Sequence, residues 1–178
     1  MAVPDFSDCF LLADDRSGAN WDEVERRIEA LGAVADRNVL WGTAGRTWVE
    51  ALASKTPGPM RVTETENFIA MTMFTGELEE QFLTGIEKIY VSVMDYLGRA
   101  GISERLGKLA VLVFGSAEDY CDYIAQFSPE DSVTPMSGGM CIFEGYGHVA
   151  LYEHEWGDLD SDFVHEVTHA YVNHLPLP

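Results

Sequence analysis

Leu109-Ala110-Val111-Leu112-Val113-Phe114 is a run of six consecutive apolar residues. It has the length of a strand, and because side chains alternate across a strand, both of its faces are apolar. A strand of this kind belongs in the middle of a sheet with helices over both sides. The rest of the chain has to supply those helices and the neighbouring strands.

The supply is legible in the spacing. Trp21, Val24, Ile28 and Leu31 recur at helical intervals behind Asn20, a good N-cap, and a second helix is expected from Leu40 to Ala53. Thr56-Pro57-Gly58-Pro59 then breaks regular structure, since proline lacks a donor and disfavours helix in the residue before it. Beyond the break the pattern turns to β-formers, with strands predicted at Arg61–Glu64 and Phe68–Met73 as a hairpin or one bent strand.

Leu78, Phe82, Ile86, Ile89, Val93 and Leu97 step by three or four and predict one apolar face of a long helix, closed by Gly98 and Gly101. Ser116 starts a short helix to about Gln126, with Glu118 and Asp119 at its positive end. Two short strands, Met140–Glu144 and His148–Glu153, flank Gly145-Tyr146-Gly147 as a second hairpin. A last helix begins near Asp160, read as its cap, and Pro176 stops it. The expected division is an N-terminal helical segment, 1–58, ahead of an α+β domain, 59–178.

The chemistry lies in that last helix, in His165-Glu166-Val167-Thr168-His169. Histidines four apart project from neighbouring turns of one helix face and can grip a single cation. Glu166 sits about 100° round from His165, off the line of the ligands but near enough to take a proton from water. Zinc suits this set, because it polarises a carbonyl and lowers the pKa of bound water to about 7. The pattern falls in an amphipathic helix directly after a strand pair, with apolar neighbours expected to keep bulk water from the histidines.

The phrase Phe163-Val164-His165-Glu166-Val167-Thr168-His169-Ala170, with the element order from Arg61 onward, resembles the gluzincin-like peptidase MA group of HExxH metallopeptidases. The resemblance implies a zincin-like domain: a small mixed sheet, a long backing helix and a C-terminal active-site helix. It implies Zn2+ held by His165 and His169, Glu166 as general base, and hydrolysis of peptide bonds. It also implies that the strand before the active-site helix, Val149, Ala150, Leu151 and Tyr152, is the sheet edge along which an extended peptide lies.

The group's third ligand, a glutamate in a phrase like Trp-Leu-x-Glu-Gly, would come after Leu175-Pro176-Leu177-Pro178, so the third ligand here is unknown. A chain lacking that part is expected to bind metal weakly and to be inactive, since catalytic zinc takes three protein ligands and a water. The metzincin alternative needs histidine where Leu175 stands and glycine where Val172 stands. His174 is one residue early, and His148, Glu153, His154 and Glu155 are the remaining candidates near the hairpin.

Composition narrows the partners. Thirty acidic residues against 11 basic ones give a net charge of −19, which repels phosphate backbones and anionic membranes. No nucleic acid and no membrane partner is expected, and no run approaches the roughly 18 apolar residues of a membrane span. Met1-Ala2-Val3-Pro4-Asp5 has no signal-peptide pattern, so a cytoplasmic location is expected. Cys9, Cys121 and Cys141 are odd in number and widely spaced, which argues against a disulfide framework and a cysteine zinc cluster and for small buried hydrophobes. Two other readings compete with the peptidase: a non-catalytic zincin-fold binding module, and an interaction module docking through Trp21, Trp41 and Trp48.

Overall fold

The computed structural model describes residues 4–10, 19–31, 36–97, 107–127, 138–152 and 159–172. The expectations placed on Gly98, Gly101, the acidic loop from Ser128 to Ser132, Glu153, His154, Glu155, His174 and Pro176 lie outside these residues.

The described chain is α+β, with five α-helices and one mixed five-stranded sheet. Helices α1 (Trp21–Ala30) and α2 (Arg37–Lys55) come first. They are followed by β1 (Arg61–Glu64), β2 (Phe68–Thr72), α3 (Glu77–Leu97), β3 (Leu109–Phe114) and α4 (Ala117–Ile124). β4 (Gly139–Ile142), β5 (His148–Tyr152) and α5 (Leu159–Val172) complete the order. In space the strands run β1-β2-β3-β5-β4. The two hairpins are antiparallel, while β3 pairs in parallel with β2 on one side and β5 on the other.

The apolar run Leu109–Phe114 is the central strand, buried at all six positions. Its alternation divides the molecule into two cores. Ala110, Leu112 and Phe114 join Val24, Ile28, Trp48, Leu52 and Tyr123 on one side, under α1, α2 and α4. Leu109, Val111 and Val113 join Phe82, Ile86, Phe163 and Val167 on the other, under α3 and α5. The break at Thr56–Pro59 therefore separates helices from strands but not cores, because α2 and β2 contribute to one cluster.

Local signals behave as their chemistry requires. Asn20 caps α1 by accepting from the Glu23 amide, and Ser116 caps α4 by accepting from the Asp119 amide. Three details differ. Asp36 caps α2, so that helix begins three residues before Leu40. Asp160 lies inside the first turn of α5 and is not its cap. Leu78 is 52% exposed, leaving the buried face of α3 to Phe82, Ile86 and Val93 with Ile89 and Leu97 at its margin.

Trp21, Trp41 and Trp48 are engaged within the molecule. Trp21 stacks on Trp41 and Tyr146 at 6.1 and 5.5 Å, and Trp48 lies edge-on to Trp21 at 5.7 Å. Tyr146, from the β4–β5 turn, thus ties the second hairpin to the N-terminal helices. Cys9, Cys121 and Cys141 are free thiols, the first buried and the others half-buried.

Candidate functional site

Helix α5 presents two unlike faces. Phe163, Val167 and Tyr171 turn into the core beneath the sheet, together with Glu166. Val164, His165 and His169 face outward, with Thr168 half-buried beside them. The spacing that puts apolar residues inward therefore puts both histidines on the exposed side, one turn apart.

The two imidazoles meet. Their Nε2 atoms are 3.0 Å apart, and the ring centroids lie 4.6 Å apart at 71°. Two histidine nitrogens sharing a tetrahedral zinc at ~2.05 Å stand about 3.3 Å apart, so the observed spacing fits such an ion with little adjustment. The side chain of His165 is 68% exposed, which overturns the expectation that apolar neighbours shield the pair from bulk water. The apolar residues of α5 point the other way, toward the core.

Glu166 has the opposite environment. Only 6% of its surface is exposed, and its carboxylate lies 4.0 Å from His165 Nε2. Burial pushes its carboxyl above the usual value; His165, the backbone amide of Cys141 and His169 pull the other way, and Asp162 adds to the rise. Its Cγ rests against Gly139, where a Cβ would come within 2.9 Å of it. The sequence picked out Glu166 but not its surroundings: Gly139 fell one residue outside the strand expected at Met140–Glu144, and nothing marked Cys141 on that strand as a neighbour of Glu166. Pairing the hairpin outward from Gly145–Gly147 would have extended the strand to Gly139.

Val149, Ala150, Leu151 and Tyr152 are not an edge strand. β5 is hydrogen-bonded to β3 on one side and β4 on the other, and Val149, Ala150 and Leu151 are fully buried. With both sides engaged, this strand has no backbone groups for a peptide. Among the described residues the edge strand nearest α5 is β4.

His148 is also excluded as a third ligand. It shares a strand face with Ala150, on the α2 and α4 side of the sheet, whereas α5 covers the other side. There its Nε2 lies 2.6 Å from the Tyr123 hydroxyl, and its ring packs against Trp48 and Phe127. Among the described residues, no group of three or more His, Cys, Asp and Glu is placed to hold a metal ion.

Two cavities flank this region. An apolar groove of about 570 Å³ runs between α3 and α5, lined by Ile89, Val93, Leu97, Val164 and Thr168, and so adjoins the histidine face. A polar cavity of about 670 Å³ lies by Arg46, Glu64 and Lys108 and includes none of the three motif residues. Among the described residues, no helix is long and apolar enough to cross a membrane.

Comparison of the chain with protein-family models and with the curated proteins gives no match.

Proposed function

We propose that this chain is a zinc-dependent, peptidase-like domain of zincin type, with His165 and His169 as metal ligands and Glu166 as general base. The observation that supports it best is the joint placement of the three residues. Two imidazole nitrogens converge 3.0 Å apart on the open face of α5, while a desolvated carboxylate lies 4.0 Å from one of them. When bound, zinc supplies Lewis-acid polarisation of the substrate carbonyl. Glu166, whose burial favours proton uptake, takes the proton from the attacking water and returns it to the leaving amine. The third ligand comes from outside the described residues.

The substrate in this reading is a peptide in extended form, laid along β4 and not β5. The net charge of −19 favours basic peptides.

A second reading, a zincin-fold binding module without catalysis, draws on the same exposed pair of histidines, since two ligands alone hold zinc weakly. One experiment separates the two. Metal content is measured by elemental mass spectrometry on the parent protein and on a His165→Ala, His169→Ala double variant, alongside hydrolysis of a fluorogenic casein. Near-stoichiometric zinc in the parent alone, with hydrolysis abolished by Glu166→Gln, is the result that the peptidase reading requires if a third ligand from outside the described residues completes the site. Zinc without hydrolysis favours the binding module, and no zinc after dialysis against micromolar zinc overturns both.

A further inference from the structure

Met73 directly follows β2, and its side chain lies in a slot made by two glycines from other parts of the chain. On one side is Gly58, in the break at 56–59 between α2 and β1, where an added Cβ would lie 2.8 Å from the Met73 sulfur. On the other is Gly115, between the end of β3 and the Ser116 cap of α4, where a Cβ would collide with Met73 Cε and lie 3.0 Å from the sulfur. Gly58 has a φ of +93°, a conformation that side chains with a Cβ rarely adopt, so the turn shows bare backbone to the thioether for conformational as well as steric reasons.

One thioether thus sits at three connections: α2 to β1, β2 to α3 and β3 to α4. Methionine suits such a place, being unbranched and soft enough to fill an irregular gap. It is also a side chain whose fit a single oxygen atom can undo. Met73 is half-buried and so keeps contact with solvent, whereas Met71, two residues earlier, is fully buried.

We propose that Met73 is an oxidation site at which a peroxide unfastens this junction. The sulfur lone pair attacks one oxygen of hydrogen peroxide; the O–O bond breaks and an S–O bond forms. The sulfur is oxidised by two electrons, and the peroxide is reduced to water as its departing hydroxide takes the proton of the transferred oxygen. The product is a polar, chiral sulfoxide. With glycine backbone against it on two sides, the enlarged group leaves the slot, and the break at 56–59 and the start of α4 lose their common filler. The inference is independent of the peptidase reading.

The test treats the full chain with dilute hydrogen peroxide and then with dithiothreitol, which returns sulfenic acids and disulfides to thiols but leaves sulfoxides. Peptide mass spectrometry is expected to find Met73 oxidised and Met71 spared. The melting temperature is expected to fall by about 3–6 °C, as for a polar group forced into a half-buried slot in a chain of this size. The amide resonances of Gly58, Gly115 and Asp119, the last bonded to the Ser116 cap, are expected to shift. Methionine sulfoxide reductases acting on the two epimers should reverse both changes. Met73→Leu, which alters the volume little and cannot take up oxygen, should keep its melting temperature through the same treatment. Met73→Gln, polar at similar length, should show the loss without any oxidant.

Met73 left unoxidised when the half-buried Met60 and Met94 have reacted overturns the proposal. So does stoichiometric sulfoxide at Met73 with an unchanged melting temperature, or an equal fall in Met73→Leu. If the leucine variant does not fold, Met73→Gln decides: an unchanged melting temperature there overturns the proposal as well.

Discussion

The ring of Tyr146 occupies the space that a side chain on Gly45 would fill: a Cβ on Gly45 would lie 2.3 Å from the tyrosine Cζ. Helix α2 is thereby notched in mid-course to admit a residue from the turn between β4 and β5.

Gly45→Ala is therefore expected to destabilise the protein although alanine is the better helix former. The gain in propensity is about 1 kcal/mol, whereas forcing Tyr146 out of its place costs ~2–4 kcal/mol by overpacking. Urea unfolding should show a net loss of ~1–3 kcal/mol, and equal or higher stability would mean that Tyr146 has another place to go.

Tyr123→Phe removes the hydroxyl 2.6 Å from His148 Nε2 in a fully buried setting. The expected loss is ~1–2 kcal/mol, the cost of a buried hydrogen bond with little change in volume. Thermal unfolding of the variant measures it directly, and a neutral outcome would show that the bond contributes only orientation.

His165→Ala and His169→Ala should leave metal-free stability within ~0.5 kcal/mol of the parent, since both side chains lie on the exposed face of α5. Added zinc should raise the melting temperature of the parent and of neither variant. Substantial destabilisation without metal would assign the histidines a structural role.

Glu64 gives a pH signature. Burial pushes its carboxyl up, but hydrogen bonds from Lys108 and Arg46 outweigh it and hold the group below its usual value. A depressed folded-state pKa contributes stability above the unfolded value, near 4.3, and loses it as pH falls through the folded value. Glu64→Gln should therefore cost ~1 kcal/mol at pH 7, and the difference from the parent should shrink below about pH 4. A pH-independent difference would trace the effect to packing.

The fold was legible where a residue's role depends on its immediate neighbours. Leu109–Phe114 announced the central strand, Asn20 and Ser116 their helices, and His165 and His169 their shared face. What stayed hidden depends on assembly. Nothing in a hairpin's own sequence says which arm pairs inward, and the polar His148 at the head of β5 masked a strand that is buried at every position but its last, Tyr152. The partners of Glu166 were hidden for the same reason, since Gly139 and Cys141 acquire meaning only when α5 packs beside β4. Leu78 kept the helical rhythm of α3 yet lies beyond the reach of the sheet.

The central strand is apolar on both faces, so sliding it by one residue would exchange one set of hydrophobic side chains for another at little cost in burial. Its place must be read from its ends. Leu109 donates to the Asn67 carbonyl, Asn67 is gripped by Glu87 from α3, and Lys108 is bonded to Glu64 and to the Thr65 carbonyl. These few polar contacts act as index pins at the mouth of a slot that would accept the strand in more than one position. Weakening them should show less in the melting temperature than in the uniqueness of the folded state, as extra or broadened resonances from a sheet that has lost its count.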